Sequence, residues 1–434
     1  IYYMADPLPY LLRARQQHGG IVRLPLQALT PYLVSDPALI EHILVTDNKS
    51  YSKDMFLQLL GREVLGQGLL TSEGEFWRRQ RRLSQPAFHR ERITEYAQIM
   101  LACADEYLQT LAIGQTRDVH DDMMRLTLTI AARALFSTDV GDMATEVGRA
   151  LSVVMERYAN NIFLIFPWIG KLPLPMNRRL AAAKQRLDQM MFEIIRRRRA
   201  EGPSAKTDLM SMLLSAQDED GSVMTDVQLR DEVITIFSAG HETTALVMSY
   251  AFMLLSQNPR AEAALAAELS TVLAGRAPTP ADLPALRYAE GVVLETMRLF
   301  PPAWAVGREA ARDTELGGYP IARGTQMWMS PWVIHRDPTY YPDPESFSPE
   351  RWEGGLQKKL PRFAYMPFGG GPRLCIGNAF ALTEATLILA AIASRYRLRF
   401  VDPRTPALLP SITLRPRGAM RARVETAAVK APRS

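Results

Sequence analysis

A single cysteine stands between a glycine-rich loop and an apolar helical pattern near the C-terminal end of the chain. The ten residues from Phe368 to Gly377 read F-G-G-G-P-R-L-C-I-G, and the cysteine is Cys375. Glycines let a backbone pass close to a flat ligand, and the free amides and dipole at a helix N-terminus stabilise a thiolate. The pattern is therefore typical of a thiolate that binds a haem iron. A glycine turn before a helix, with an incidentally buried cysteine, is the alternative.

A second segment that could do chemistry lies within a long helical pattern and reads Ala239-Gly-His-Glu-Thr-Thr244. It places a carboxylate beside a hydroxyl, at Glu242 and Thr243, and such a pair can move protons. Glycine costs about 1 kcal/mol relative to alanine inside a helix, and threonine can bond the carbonyl four residues back. This conflict predicts a distortion that makes room for water. A solvated polar helix face is the alternative.

The loop resembles the haem-binding loop of the cytochrome P450 family, whose pattern is F-x-x-G-x-[RH]-x-C-x-G. The match includes every constrained position, namely Phe368, Gly371, Arg373, Cys375 and Gly377. The resemblance implies that Cys375 is the axial ligand of a haem b iron. It also implies that Phe368 packs beneath the haem and that Gly369 and Gly377 belong to its binding loop.

The helical segment resembles the oxygen-activation motif of the same family, [AG]-G-x-[DE]-T-[TS]. By this resemblance Thr243 would hold dioxygen and water, and Glu242 would help relay protons that promote O–O cleavage. Ala239 and Gly240 would lie against the haem, whereas His241 would have no role at the iron.

Further resemblance to family motifs involves charged residues. Glu295 and Arg298, three apart on a helix, and Arg351 in Pro349-Glu-Arg-Trp352 resemble the E-x-x-R and P-E-R-[FW] elements. The implied role is a buried ion network behind the haem loop, whereas an isolated pair of this spacing would be a surface contact worth under about 1 kcal/mol.

Haem propionates require cations, and four residues match family positions that contact them: Trp77, Arg81, Arg308 and Arg373. Trp77 and Arg81 lie on one helix face because they are four apart. Arginine is well suited to binding carboxylates in a bidentate manner. Solvated surface arginines are the alternative for each position taken alone.

Family resemblance also indicates the walls of a substrate pocket, and the side chains there are apolar. The predicted pocket residues are Phe56, Phe163, Phe166, Phe237, Trp304, Val306 and Ile412. A sizeable hydrophobic substrate is expected, such as a fatty acyl, terpenoid, steroid or polyketide-like molecule. Core packing is an equally good explanation of this composition.

The elements that must position these residues are mostly helical. A capping box at Thr225 to Gln228 predicts a long helix over about 225–257, which Asn258-Pro259 ends. Other helices are predicted through much of 90–215, from about Pro284 to Leu299, and after Cys375 through Leu387. Short strands are predicted at 21–25, 32–35 and 325–330, with a hairpin around 412–416. The expected architecture is one mainly α domain with small β-sheets over 1–434, the cytochrome P450 fold.

Composition limits the other functional classes. The 434 residues include 51 Lys plus Arg against 46 Asp plus Glu, and no nucleic-acid-binding motif is recognised. Two cysteines exclude a disulfide framework and favour a reducing compartment. No apolar run is long enough to span a bilayer, so a cytoplasmic monomer is expected. Because the sequence begins at Ile1, an N-terminal anchor upstream stays an open alternative.

No flavin, nicotinamide or iron–sulfur signature is recognised, so electrons are expected from NAD(P)H through another protein or domain. A second group of cations on the thiolate side could bind this electron-donating protein or domain: Arg78, Arg79, Arg82, Lys358, Lys359 and Arg362. An acidic ferredoxin, flavodoxin or reductase domain would suit such a face. Ordinary solubilising charge is the alternative.

The combined prediction is a haem-thiolate monooxygenase that inserts one atom of O2 into a hydrophobic substrate by hydroxylation or epoxidation. Two alternatives stay open. One is a haem-thiolate isomerase or peroxygenase that needs no external electrons, and the other is a non-catalytic haem sensor. Neither alternative accounts for an acid beside a hydroxyl at Glu242 and Thr243.

Overall fold

The computed structural model describes residues 6–26, 30–55, 57, 65–136, 148, 150, 153, 169–170, 172–201, 208–217 and 221–427. Helices dominate these ranges, as predicted. They are α1 (Pro7–His18), α2 (Pro37–Glu41), α3 (Gly74–Ser84), α4 (Arg90–Gln109), α5 (Val119–Phe136), α6 (Pro175–Ala200), α7 (Leu209–Ser215), α8 (Asp226–Gln257), α9 (Pro259–Leu273), α10 (Arg287–Leu299), α11 (Pro331–Ile334), α12 (Leu356–Lys359) and α13 (Asn378–Ala393).

The strands are short and form four small sheets at the edges of the helical body. They are β1 (Ile21–Arg23), β2 (Tyr32–Val34), β3 (Tyr51–Lys53), β4 (Thr116–Asp118), β5 (Val306–Ala310), β6 (Thr314–Leu316), β7 (Tyr319–Ile321), β8 (Gln326–Met329), β9 (Tyr396–Phe400), β10 (Leu408–Pro410), β11 (Leu414–Pro416) and β12 (Arg421–Thr426). The largest sheet has the order β1-β2-β8-β5-β3, and a second has the order β4-β12-β9. The pairs β6-β7 and β10-β11 are separate hairpins.

The long helix α8 is the centre of the molecule. Its N-terminus has the predicted capping box, because the Thr225 hydroxyl accepts from the Gln228 amide and the Gln228 side chain accepts from the Thr225 amide. Most of its residues are buried on all sides. It packs against α5, α6, α10 and α13, so the fold surrounds the Ala239–Thr244 segment with protein.

Several boundaries differ from the sequence-based predictions. Helix α10 begins at Arg287 because the preceding Pro280–Ala285 forms a 3-10 turn that contains Pro284. Helix α13 continues past Leu387 to Ala393, and the strand β4 interrupts the region predicted as helical. Helix α8 continues through Gly240 without a break, so the predicted distortion is not seen as an interruption.

Local packing explains the Cys375 loop better than the helix pattern does. The short 3-10 turn Gly371–Arg373 precedes the cysteine, and α13 begins three residues after it. Gly371 has φ +66°, and a Cβ there would lie 1.9 Å from the carbonyl oxygen of Leu44. Only glycine fits at that point, which ties the loop to the segment after α2.

Among the described helices, none has the length and apolar character that a bilayer-spanning segment needs.

Candidate active site around Cys375

The thiol of Cys375 lies in an environment suited to a thiolate. Its amide donates to the carbonyl of Phe368 at 3.0 Å, which closes the loop. The side chain keeps exposed surface although protein surrounds it. Burial raises the pKa of the thiol overall, although the amide of Gly377 and the charge of Arg81 oppose this effect. These last two groups would stabilise the anion once a metal shares its charge.

One face of α8 borders open interior space. Ala239 is exposed within a helix that is otherwise buried, and Gly240 and Thr243 are partly exposed beside it. A Cβ on Gly240 would meet nothing within 4 Å. The Thr243 hydroxyl donates to the carbonyl of Ala239 at 2.8 Å. A flat ligand can therefore approach the helix at Ala239 and Gly240, with a hydroxyl beside it.

Glu242, next to Thr243, packs against the β10-β11 hairpin. It is buried, and its Oε1 accepts from Arg415 Nε at 2.5 Å and from the hydroxyl of Thr413. Burial raises the pKa of Glu242, but the bonds to Arg415 and Thr413 outweigh this effect and lower it overall. Sequence reasoning missed both partners, since the β10-β11 hairpin lies far from α8 in the chain.

Cations converge at the edge where the haem propionates were predicted. Lys53 on β3 and Arg308 on β5 are direct cross-strand partners, which places two like charges side by side. Arg308 is buried, and its guanidinium donates to the carbonyl of Gly307 at 2.7 Å. Burial and the charge of Arg373 lower the pKa of Arg308 to about 10. Burial lowers the pKa of Lys53 to about 7.

Trp77 lies at the same edge. The Lys53 ammonium lies 5.8 Å from the centre of the Trp77 ring, and the Arg373 guanidinium carbon 5.5 Å from it. Arg373 forms an ion pair with Glu73, a partner that sequence reasoning missed. Like charges packed opposite each other are unfavourable. Glu73 and Asp54 offset part of this charge, but Lys53, Arg308 and Arg373 outnumber them, which fits an anionic group at this edge. Sequence reasoning missed Lys53.

Arg81 and the cysteine complete the fit to a haem. In the part of the chain that the structure describes, the Arg81 side chain makes no ion pair or hydrogen bond, and its charge acts on Cys375. A soft thiolate ligand, an accessible surface at Gly240 and a surplus of cations over carboxylates are the donor set that an anionic iron macrocycle needs. The residues present therefore fit the group.

The structure brings the predicted ion network together. Glu295 and Arg298 are fully buried, and the Arg298 guanidinium donates to both carboxylate oxygens at 2.8 and 2.9 Å. Arg351 approaches Glu295 at 3.4 Å. The Trp352 indole donates to the same carboxylate at 2.9 Å, a contact that sequence reasoning missed. The remaining Arg298 donors bond carbonyls of the following loop, including that of His335 at 2.9 Å.

The predicted pocket residues have mixed outcomes. Phe56, Phe163 and Phe166 lie outside the described residues. Phe237 is buried in a core cluster with residues of α3, α6 and α7, so the structure places it in the core. Trp304 and Val306 are partly buried, Ile412 is exposed, and the Trp304 indole donates to the carbonyl of Ser411 at 2.7 Å.

Comparison with known proteins agrees with this site. The family model "Cytochrome P450" matches residues 5–420. The chain belongs to the cytochrome P450 family. Its fold superposes on the haem domain of cytochrome P450DA with a TM-score of 0.89 at 29% identity, covering 98% of this chain and 94% of that chain.

Named relatives come from Streptomyces. The chain is 41% identical to cyclooctatin synthase of Streptomyces melanosporofaciens, covering 95% of this chain and 88% of the relative. It is 39% identical to cyclooctat-9-en-7-ol 5-monooxygenase of the same organism, covering 92% and 86%. It is 34% identical to pentalenene oxygenase of Streptomyces avermitilis, covering 92% and 88%.

These findings confirm the predicted family, fold and reaction class. The protein is a haem-thiolate monooxygenase of the cytochrome P450 family, and its cofactor is haem. It is an oxidoreductase that uses O2, an organic substrate and a redox partner.

Proposed function

We propose that this cytochrome P450 hydroxylates or epoxidises a terpenoid-like cyclic hydrocarbon, with Cys375 as the axial ligand. The observation that carries the ligand assignment is the accessible thiol inside the protein, held by the Gly377 amide and facing the charge of Arg81. Bound haem supplies the iron at which O2 is activated. Phe368 and Gly369 would belong to the loop that presents the ligand, and Gly371 fixes that loop against Leu44.

The propionates would bind at the cationic edge. Arg81, Arg308 and Trp77 supply donors there, and Lys53 adds a cation that lies opposite Arg308. Arg373 contributes charge while it stays paired with Glu73. Haem binding would therefore relieve repulsion between cations, which favours retention of the cofactor.

Thr243 is the residue that would hold oxygen and water beside Ala239, because its hydroxyl lies on the open face of α8. Glu242 is held as a carboxylate by Arg415. It can therefore accept a proton and pass it on only when one of these bonds is exchanged for water. Its role is that of a relay, not a stored acid.

The substrate class rests on the relatives and on the apolar residues near β5. One relative is named for the oxidation of cyclooctat-9-en-7-ol at position 5, and another for the oxygenation of pentalenene. Trp304 and Val306 offer apolar surface at the corresponding wall. Screening such cyclic alkenes and alkenols for displacement of water from ferric haem tests this class, and steroids and fatty acids serve as the comparison set.

Electrons would come from NAD(P)H through an acidic ferredoxin, flavodoxin or reductase domain. Lys358 and Lys359 are exposed at the end of α12, and α3, which carries Arg81 close to Cys375, also exposes Arg78. Arg78 pairs with Glu75 and Arg362 with Glu41, so these two arginines contribute less to the proposed docking charge than the two lysines. Charge reversal of both lysines should slow electron transfer in a salt-dependent manner.

The reduced carbon monoxide spectrum tests the ligand directly. Cys375→Ala should lose the strongly red-shifted thiolate band, whereas Cys103→Ala, which changes a buried thiol beside Arg133, should keep it. Retention of the band in Cys375→Ala would show that the ligand assignment is wrong.

Coupling distinguishes the proposed activity from its alternatives. Product should form in proportion to NADPH consumed when a reductase pair is present. Product without reductase would identify an isomerase or peroxygenase, and haem binding without product across the substrate screen would favour a sensor.

A further inference from the structure

A cluster of buried polar atoms without partners lies between α3, α8 and the loop that precedes α3. Each of its side chains has at least one buried polar atom with no hydrogen-bond partner among the described residues: Ser72, Gln80, Ser84, Glu232, Thr235 and Ser238. Buried polar groups in proteins are almost always satisfied, by protein or by ordered water. A group of such atoms is therefore the mark of bound water, which needs two to four polar partners.

Contacts at Glu232 join α3, α8 and the loop that precedes α3. The Gln80 side chain lies close enough to Glu232 to lower the pKa of its carboxyl. Gln80 and Ser84 share one face of α3, since they are four residues apart. A Cβ on Gly68 would lie 2.1 Å from the Thr235 hydroxyl, so the loop backbone lies directly against α8 at that point.

Glu232 is the titratable member of this cluster. It is fully buried, and its Oε2 accepts from the Leu69 amide at 3.0 Å while Oε1 has no partner among the described residues. The charged groups that act on it are Asp231 on its own helix and Lys53 on β3. Arg308, Arg373 and Glu73 act on Lys53 in turn.

Protonation of Glu232 follows from these surroundings. Burial raises the pKa of the carboxyl to about 8, and Asp231 adds to the effect, whereas the Leu69 amide and Lys53 oppose it. The carboxyl is then mostly a neutral acid near pH 7. It differs in this from Glu242, whose partner Arg415 keeps its pKa low.

Helix geometry relates Glu232 to the open face of α8. Ala239 follows Glu232 by seven residues and Thr243 by eleven, so all three lie on one side of a helix with 3.6 residues per turn. At 1.5 Å per residue, Glu232 lies about 10 Å along the axis from Ala239. Thr235 lies between them near the same face.

We propose that water molecules bound to this cluster connect Glu232 through Thr235 to the space beside Ala239, and that Glu232 supplies protons along this chain. The proposal rests on the proposed monooxygenase function, which consumes two protons per turnover. In each transfer the O–H bond of the Glu232 carboxyl breaks and a proton moves to a neighbouring water. The carboxylate left behind faces Lys53, and bulk water returns the proton.

Infrared difference spectroscopy of the haem-loaded protein tests this inference without relying on turnover. A protonated carboxyl has a carbonyl stretch that a carboxylate lacks, and its intensity should fall by half near pH 8. Glu232→Gln should remove one such band. The matched control is Glu384→Gln, because Glu384 is a second buried acid, beside Thr244, whose pKa burial raises to about 8. It should remove a different band.

Coupling, measured as product formed per NADPH consumed, supplies the second readout. Glu232→Gln should lower product per NADPH by roughly tenfold or more, with the thiolate band of the reduced carbon monoxide complex unchanged. Ser84→Val, which would displace water but keep the carboxyl, should lower it in the same direction. If Glu232→Gln does not bind haem, Ser84→Val decides the question.

Two results would overturn the proposal. One is a set of carboxyl bands that Glu232→Gln leaves intact, and the other is wild-type coupling in both cluster variants. Loss of the thiolate band in wild-type protein would instead contradict the monooxygenase assignment, so the two failures are distinguishable.

Discussion

Two fully buried glutamates, Glu295 on α10 and Glu232 on α8, have opposite surroundings. Glu295 accepts five hydrogen bonds, among them two from Arg298, one from Arg351 and one from the Trp352 indole. Glu232 accepts one, from the amide of Leu69, and its second oxygen has no partner among the described residues.

The difference in partners distinguishes a glutamate that stabilises the fold from one that can exchange a proton. A buried carboxylate surrounded by guanidinium groups stays where its partners hold it, and removing any member leaves uncompensated charge. A buried carboxyl with one donor and a raised pKa can gain and lose a proton near neutral pH. Burial alone therefore says little about role, because the partners determine it.

The largest effect is expected at the satisfied acid. Glu295→Ala removes the partner of the fully buried Arg298 guanidinium and of the partly buried Arg351, and we expect it to lower the free energy of unfolding by about 3–5 kcal/mol. Urea unfolding and haem retention at 25 °C measure this. Glu353→Gln, at an exposed position nearby, is the control and should have little effect. Equal midpoints for both variants would contradict a structural role for Glu295.

An intermediate effect is expected at Glu242, which has one guanidinium partner. Arg415→Ala leaves the buried carboxylate with only the Thr413 hydroxyl, at a cost of about 1–3 kcal/mol. The exposed Arg417→Ala, on the same segment, is the control. Because the partners lower the pKa of Glu242 in the folded state, its stabilisation is present above its unfolded pKa and is lost as pH falls through the folded value. Urea midpoints at acid and neutral pH should therefore differ less in Arg415→Ala than in wild type.

A pH-dependent effect of opposite sign is expected at the unsatisfied acid. The folded pKa of Glu232 is about 8, against an ordinary value of 4.5 for a glutamate. Between these values the folded state binds more protons than the unfolded state, so stability falls as pH rises, by up to about 1.4 kcal/mol per pH unit. Glu232→Gln should show a shallower decline than wild type between pH 5 and about 8 in urea titrations. An unchanged slope would show that Glu232 is ionised throughout.

Sequence reasoning identified the elements whose signals are local. The capping box at Thr225, the stop at Pro259 and the Cys375 loop depend on neighbours in the chain, and the structure has them where the sequence indicated. The family resemblance supplied the Glu295 network. These features share short-range chemistry or a long, specific motif.

Contacts between residues far apart in the chain could not be predicted from the sequence. Arg415 reaches Glu242 from a hairpin more than 170 positions away, and Lys53 meets Arg308 only because β3 and β5 pair. The buried state of Glu232 was equally hidden, since Asp231-Glu232 resembles the solvated start of a helix. It depends on the loop at Gly68 and Leu69, which packs against α8, and on Gln80 of α3, and both are distant from Glu232 in the chain.

The smallest effect on stability is expected at Thr243, whose neighbour Thr244 is buried. The two adjacent threonines differ, as the two glutamates do, in whether their side chains serve the reaction or the fold. The Thr243 hydroxyl donates to an exposed carbonyl that water can also satisfy, so Thr243→Ala should change stability by less than about 1 kcal/mol. It should nevertheless divert electrons from product to hydrogen peroxide. Thr244 is buried beside Glu384, so Thr244→Ala should mainly lower stability and keep coupling. Product per NADPH and urea midpoints measure these effects. If Thr243→Ala formed as much product per NADPH as wild type, the Thr243 hydroxyl would have no more part in the reaction than that of Thr244.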